Sequence, residues 1–390
     1  MKKVFLGTIA LILLFGGLAL AQSECDQLYV KAMTANSAPE RATLLKDFLA
    51  KCGGKGNQYE NFANAYLCTL SKTEQDIVNY GEKAIQLGGL DDLTKSQVLT
   101  YLANVYAKNN PEKAKNYANQ IIDIARAAKA KESEAANAGQ WNNLIGGGYY
   151  ILGQAQEKAK DNKSAIDSYL NSYNILKNAK IIAEIKKLGK TAYEAKAYAD
   201  AEKAFRAAYQ ANPKDTDSLA LVAQCLYRAG KTDEALTMMK ESYAKTKNGD
   251  TAYNIGIILA KQAGSSNPTL NTEALRYLVE ASLTSPTYSK KAGELARSMF
   301  LGADKEWNNR VKTIQESSKL IEDWTKTFNS KFEGKNVDDL DSDQKREFRR
   351  LNENIEKENK ILAKLQAEQK TTMDKFQKLI DEAKARLGIR

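Results

Sequence analysis

Cysteine is the side chain with the most distinctive chemistry in this chain, and Cys25, Cys52, Cys68 and Cys225 admit three full pairings in an oxidising compartment. No two of them stand in a C-x-x-C spacing, so neither a thioredoxin-like redox couple nor a zinc knuckle is indicated. Histidine is absent from all 390 residues. That removes His-based triads, His-bearing metal sites and the zincin motif, leaving carboxylates, Lys, Tyr or Cys for any acid–base or nucleophilic work. A Gly-rich phosphate loop and a G-x-S-x-G elbow are both missing. Gly146-Gly147-Gly148 reads as a hinge, with an anion site at a helix N-terminus as the rival reading. Asp338-Asp339 falls in an expected helical turn, where solvation is the role of a carboxylate pair. The residue types therefore point away from an enzyme, a cofactor and a metal.

The cysteine pairing can be narrowed by local geometry. If residues 26 to 51 form two antiparallel helices, Cys25 begins the first and Cys52 ends the second, which brings both to one end of the hairpin. The preferred bridge is Cys25 to Cys52, contributing about 3 kcal/mol by loop closure. Cys225 lies among Leu221, Val222 and Leu226 and reads as a small buried hydrophobe.

Length, about two domains' worth, and 43% hydrophobic residues provide for a sizeable core. Lys and Arg number 58 against 48 Asp and Glu, a formal charge of +10. The signs are mixed along the chain and no basic run carries interleaved aromatics, so no nucleic-acid partner is expected. Residues 1–21 read as an export signal: Lys2 and Lys3 lead, Val4 to Leu20 is apolar, and Ala19-Leu20-Ala21 supplies the cleavage site. An uncleaved anchor is the rival, disfavoured by Gly16, Gly17 and the Ala-x-Ala ending. Lipidation is disfavoured because Cys25 follows Gln-Ser-Glu. No later segment is long and apolar enough to span a bilayer. A short, lysine-led signal looks bacterial, which makes the protein periplasmic or secreted.

Beyond residue 140 the sequence repeats itself. A large apolar residue followed by a small one recurs at Leu152-Gly153, Leu188-Gly189, Val222-Ala223 and Ile255-Gly256. Downstream of each follow Ala165, Tyr169 and Ser172; Ala201, Phe205 and Ala208; Ala235, Met239 and Ser242; Ala274, Leu278 and Ala281. Pro213 and Pro286 close two of the units. Small residues at these places let two helices cross closely while the large ones fill the seam. One such pair cannot bury its seam alone, so neighbours must stack. Before residue 140 the pattern weakens: Leu102-Ala103, Tyr106, Ala114 and Ala118 make one unit, and Gly53-Gly54 and Gly88-Gly89 end two further helix pairs.

This phased pattern resembles the tetratricopeptide repeat family over residues 26 to 302, most closely from Leu188 to Pro213. The resemblance implies an all-α solenoid whose inner face, lined by the first helix of each pair, holds a protein or peptide partner. Carried over by phase, that face comprises Tyr150, Gln154 and Glu157; Lys186, Lys190 and Tyr193; Gln224, Tyr227 and Arg228; and Asp250, Tyr253 and Lys261. Tyrosines bring contact area with a polar end, and the cations suit a carboxylate. Of the family's carboxylate clamp only Lys186 and Lys190 come close, and its asparagines are missing. The expected partner is a protein or peptide of the cell envelope.

From Trp307 the apolar spacing changes to steps of three and four: Trp307, Val311, Ile314, Ile321, Phe328 and Phe332. Asp341 with Gln344 forms a capping-box start for a second, longer helix, about 65 Å against about 40 Å. Its seam runs through Phe348, Leu351, Ile355, Leu362 and Leu365, then slips phase to Met373, Phe376, Ile380, Ala383 and Leu387. The excess length requires a partner: Met373 to Leu387 is expected to pack on the last repeat, with a dimer contact as the rival. The organisation read from the sequence is a signal at 1–21, weak helix pairs at 22–139, repeats at 140–302 and a long antiparallel hairpin of coiled-coil type at 303–390. A scaffold that binds a partner is the leading function. Self-assembly of an envelope protein into a homo-oligomer through the hairpin is the alternative.

Overall fold

The computed structural model describes residues 24–131, 138–264 and 267–389, and the leader read at 1–21 lies outside them. Every regular element among the described residues is helical. The pairs are α1 (Glu24–Met33) with α2 (Ala38–Cys52), α3 (Glu60–Leu70) with α4 (Glu74–Leu87), α5 (Asp92–Asn109) with α6 (Pro111–Lys131), α7 (Ala138–Lys158) with α8 (Asn162–Leu176), and α9 (Ala179–Glu194) with α10 (Tyr198–Ala211). Then come α11 (Thr216–Arg228) with α12 (Thr232–Thr246), α13 (Gly249–Ala263) with α14 (Pro268–Thr284), and the single α15 (Ser289–Gly302). The chain ends in α16 (Trp307–Phe332) and α17 (Ser342–Leu387). Two compact units divide between Ala211 and Asn212, within the stretch read as one run of repeats.

Helix starts follow from short polar side chains. Asp161, Asn178, Asp215, Asn248 and Asn267 each accept a backbone N–H of the first turn they precede. Those donors have no intrahelical partner, so the cap is satisfied locally. Lys177 and Lys247 end α8 and α12 in the left-handed region, at φ 50° and 52°. The ammonium of each lies 5.1 Å from the ring centroid of the tyrosine four residues earlier, Tyr173 and Tyr243. The attraction of cation to ring offsets part of the cost of the backbone there.

The seam of each pair is built from the alternation of small and large residues. A Cβ on Gly153 would stand 2.8 Å from Tyr169, one on Gly189 2.9 Å from the Ala204 Cβ, and one on Gly256 2.7 Å from Leu278. Tyr169, Phe205 and Leu278 are almost wholly buried. Each such side chain contributes about 1.5–3 kcal/mol through burial. The hinge reading of Gly146-Gly147-Gly148 is corrected here, because all three lie inside α7. A Cβ on Gly146 would meet Leu176 of α8 at 2.5 Å, and one on Gly148 would meet Ile122 of α6 at 2.8 Å. These two glycines let α7 press against helices on both sides, and the helical hydrogen bonds running through them leave no free backbone for a hinge or an anion site.

In the first unit Cys25 and Cys52 are joined by a disulfide that ties α1 to the end of α2. Farther along, the carboxylate of Glu82 on α4 accepts from the hydroxyls of Tyr106 (2.8 Å) and Tyr117 (2.8 Å) and pairs with Lys113 (2.6 Å), joining α4, α5 and α6. Burial pushes the Glu82 carboxyl up, yet the hydrogen bonds from Lys113, Tyr106 and Tyr117 more than offset this and hold it below its ordinary value.

In the second unit α16 and α17 run antiparallel. Lys331 pairs with Glu347 at 2.6 Å and the Ser317 hydroxyl donates to Glu358 at 2.6 Å. Phe328, Phe332 and Phe348 form an aromatic knot at the turn, with centroids 5.0–5.6 Å apart. Asp341 and Gln344 make a reciprocal capping box, so α17 starts where that pattern places it. With 46 residues against 26, α17 outruns α16 by about 30 Å. The excess does not project into solvent. Phe376 packs on Phe300 with centroids 5.1 Å apart, Ala383 is fully buried, and Arg386 donates at 2.9 Å to Glu280 of α14. Glu280 is 2% exposed and also accepts from Tyr243 of α12 at 2.7 Å.

Three outcomes follow from these contacts. Gly189→Val should destabilise the first unit by about 1–3 kcal/mol, lowering the urea midpoint followed by Trp141 fluorescence in a chain with Trp307 and Trp324 changed to Phe. Glu82→Gln should lower stability at pH 7 by about 1–2 kcal/mol. Because the folded carboxyl is depressed, its stabilisation is complete above the unfolded carboxyl value and is lost as pH falls through the folded one. The gap between Glu82→Gln and the native protein should therefore narrow in denaturation series carried down below pH 4. Arg386→Ala should leave the Glu280 carboxylate buried beside Tyr243 alone and speed amide exchange over residues 373–387, with Glu280→Gln in the same chain restoring part of the protection.

Candidate functional site

Residues that could meet a partner must lie on helix faces that packing leaves open. In the first unit, α7 carries Tyr150, Gln154 and Glu157 on one face at i, i+4 and i+7, and α9 carries Lys186, Lys190 and Tyr193 in the same spacing. Side-chain bonding links the two helices. Lys187 of α9 donates to Glu157 at 2.7 Å and lies 3.8 Å from Glu184, while the Tyr169 hydroxyl donates to Glu157 at 3.2 Å.

The tyrosines on this face are partly used by the fold. The ring of Tyr150 packs on Tyr169 with centroids 5.5 Å apart, and burial raises its phenol above the ordinary value. The nearby carboxylates of Glu184 and Glu157 raise it further, and a hydrogen bond with Gln154 opposes them. Tyr193 meets Tyr198 edge-on at 5.5 Å. Lys186 is half-buried and engaged with a neighbour. Lys190 is exposed, with no side-chain partner among the described residues. The surface thus offers a cation and two tyrosine edges, beside a carboxamide that bonds Tyr150 and a carboxylate paired with Lys187.

In the second unit α11 presents Gln224 and Tyr227 to solvent, the latter 36% exposed, beside an exposed Arg228 that is already engaged. On α13, Lys261 is exposed while Tyr253 stacks on Tyr288 at 4.4 Å with 14° between the rings. Asp250 accepts from the hydroxyls of Ser285 and of Thr287, the latter at 2.9 Å, which fastens the turn before α15. Packing accounts for Tyr253 and Asp250, leaving Gln224, Tyr227 and Lys261 as the open members of this set.

Sequence reasoning overlooked Lys187 in favour of Lys186. The signal was its i+3 position from Glu184, a spacing at which helical ion pairs form. It also overlooked Glu280, whose sign was a lone carboxylate inside the apolar run Tyr277-Leu278-Val279-Glu280-Ala281.

Cys68 and Cys225 take part in no disulfide, and both are buried. Burial pushes the Cys68 thiol up to about 12, so it is inert as a nucleophile at ordinary pH. Among the described residues no group of three or more His, Cys, Asp or Glu side chains is arranged to hold a metal ion. No described helix is long and apolar enough to cross a membrane.

Comparison with known proteins agrees on the repeat. Residues 192–254 match the tetratricopeptide repeat family model, spanning the end of α9 through the start of α13. No curated protein sequence matches the chain significantly. Among solved structures the chain is similar to the crystal structure of the APC/C heterotetramer Cut9–Hcn1, at 14% identity over 70% of this chain and a TM-score of 0.26. The chain covers 54% of that chain's length, and an overlap this loose has no bearing on function.

A thiol-specific chromogenic reagent at pH 8 should find no reactive cysteine in the native protein and two after unfolding without reductant. Four after unfolding would contradict the bridge, and rapid native labelling would contradict the burial of Cys68.

Proposed function

We propose that this protein is a non-enzymatic scaffold, exported to the cell envelope, that binds another envelope protein on the open faces of its first helices. The observation that carries this reading is the α7–α9 surface. There Lys190 is exposed with no side-chain partner among the described residues, on the α9 face that also carries Tyr193, and Tyr150 and Gln154 stand on the corresponding face of α7. Such a set suits an extended peptide: the carboxamide can pair with main-chain N–H and C=O, the tyrosines supply contact area, and the cation takes a carboxylate. Tetratricopeptide repeats are protein-interaction modules, which agrees with the helix pairs found here. Export is supported by the lysine-led apolar leader and by the Cys25–Cys52 bridge, which needs an oxidising compartment.

The test is affinity capture from an envelope extract with residues 22–390 as bait, beside two variants. One carries Lys186→Ala, Lys190→Ala and Tyr193→Ala in the first unit, the other Tyr227→Ala and Arg228→Ala in the second. A protein retained by the native bait and reduced at least tenfold by the first variant, with its circular dichroism unchanged, is the expected result. Equal retention by all three baits would overturn the assignment.

A further inference from the structure

Two hollows stand outside the surfaces described above, and their charges differ in one respect. The hollow between α8 and α10, about 650 Å³, is bordered by three cations with partners: Lys203 pairs with Asp167 at 2.6 Å, Arg206 pairs with Glu202, and the Lys177 ammonium lies 5.1 Å from the Tyr173 ring centroid. The second, about 510 Å³, is lined by α14, α15 and α17, its lining including Ser282, Lys290, Gly293, Glu294, Arg297 and Phe376. Here Lys290 and Arg297 are exposed and make no side-chain hydrogen bond or ion pair among the described residues. Glu294 lies four residues from one and three from the other, the spacings at which helical ion pairs form, yet pairs with neither.

We infer that this hollow is a second binding site, for an acidic peptide segment of a protein partner. Lys290 and Arg297 are seven residues apart on α15, so they stand on one face about 10 Å apart along the axis. Their flexible stems can close on carboxylates two residues apart in an extended chain, and the Arg fork can take one of them through two hydrogen bonds. Gly293 lies between the two cations. A Cβ there would meet only the Ser282 Cβ at 3.5 Å, an ordinary contact. Packing therefore does not require this glycine, unlike Gly153, Gly189 and Gly256, although glycine within a helix is destabilising relative to alanine. Its absence of a side chain opens the floor of the hollow to a peptide backbone. Phe376, 7% exposed and packed on Phe300, reaches the hollow with a small apolar rim beside the cations. That rim favours a peptide with an apolar residue among its acids over a bare anion. The site is independent of the α7–α9 surface, and either can stand without the other.

The test is fluorescence anisotropy with the full chain and a labelled, end-blocked pentapeptide of two Glu, one Leu and two Glu, compared with its Gln-for-Glu counterpart. The acidic peptide should bind saturably and at least tenfold more tightly than the neutral one. Lys290→Glu with Arg297→Glu should abolish this preference. Gly293→Leu, which fills the floor without changing charge, should weaken binding at least tenfold, while Lys190→Glu on α9 should leave it unchanged. Circular dichroism and the unfolding midpoint of each variant establish that the fold is kept. Equal binding of the two peptides, or unimpaired binding by Gly293→Leu, would overturn the site. Loss of binding only in Lys190→Glu would overturn it too, assigning the peptide to the α7–α9 surface. Binding to phosphatidylglycerol vesicles that depends on Lys290 and Arg297, without peptide binding, would overturn it in favour of a membrane contact.

Discussion

The close crossing of the first and second helix within each pair is the constraint on which the rest of the structure depends. At Gly153, Gly189 and Gly256 one helix offers no side chain, and the facing Tyr169, Phe205 or Leu278 occupies the space released. A seam of this kind buries one stripe of each helix and leaves the opposite face of the first helix unoccupied. The exposure of Lys190 on α9, and of Gln224 and Tyr227 on α11, is the other side of that packing rule.

Such a chain must also end its stack, since the last pair has an apolar side with no successor. Here α15 lacks a second helix of its own, and the end of α17 covers it and α14. The contact combines apolar burial at Phe376 and Ala383 with a buried carboxylate, Glu280, shared by Arg386 and Tyr243. Apolar burial is indifferent to orientation, whereas a carboxylate with two specific donors is satisfied in one register only. Glu280 therefore fixes where along α14 the returning helix comes to rest. Residues 373–387 are thereby used within the chain, which removes much of the apolar seam that oligomerisation through the hairpin would need.

The helix pairs were legible because their signal is periodic and repeated. Small residues at Gly153 and Gly189 and large ones at Tyr169 and Phe205 fall at constant offsets, and the capping box at Asp341 marks a helix start by a local reciprocal bond. The docking of Met373 to Leu387 was legible from length and a change of phase. Gly146 to Gly148 misled because three consecutive glycines suggest a flexible joint, whereas two of them are demanded by neighbours on opposite sides of α7. Polar contacts between distant elements left no such trace. Lys187 with Glu157, Glu82 with three partners and Glu280 with Arg386 are separated by many residues, and mixed charge along a helix looks the same whether solvated or paired. Tyr253 and Asp250 carry the right types at the right phase, but which side of a tyrosine is free is decided by Tyr288, not by spacing.

The open α7–α9 surface as the place of partner contact is tested most directly by site-specific photocrosslinking in cells. A photoreactive amino acid at position 190 is compared with one at position 320, where Leu320 is 42% exposed on α16. A discrete heterologous adduct from position 190, with none from 320, is the expected result. An adduct from 320 alone, at the mass of a second copy of the chain, would contradict the scaffold reading and make the hairpin an assembly surface.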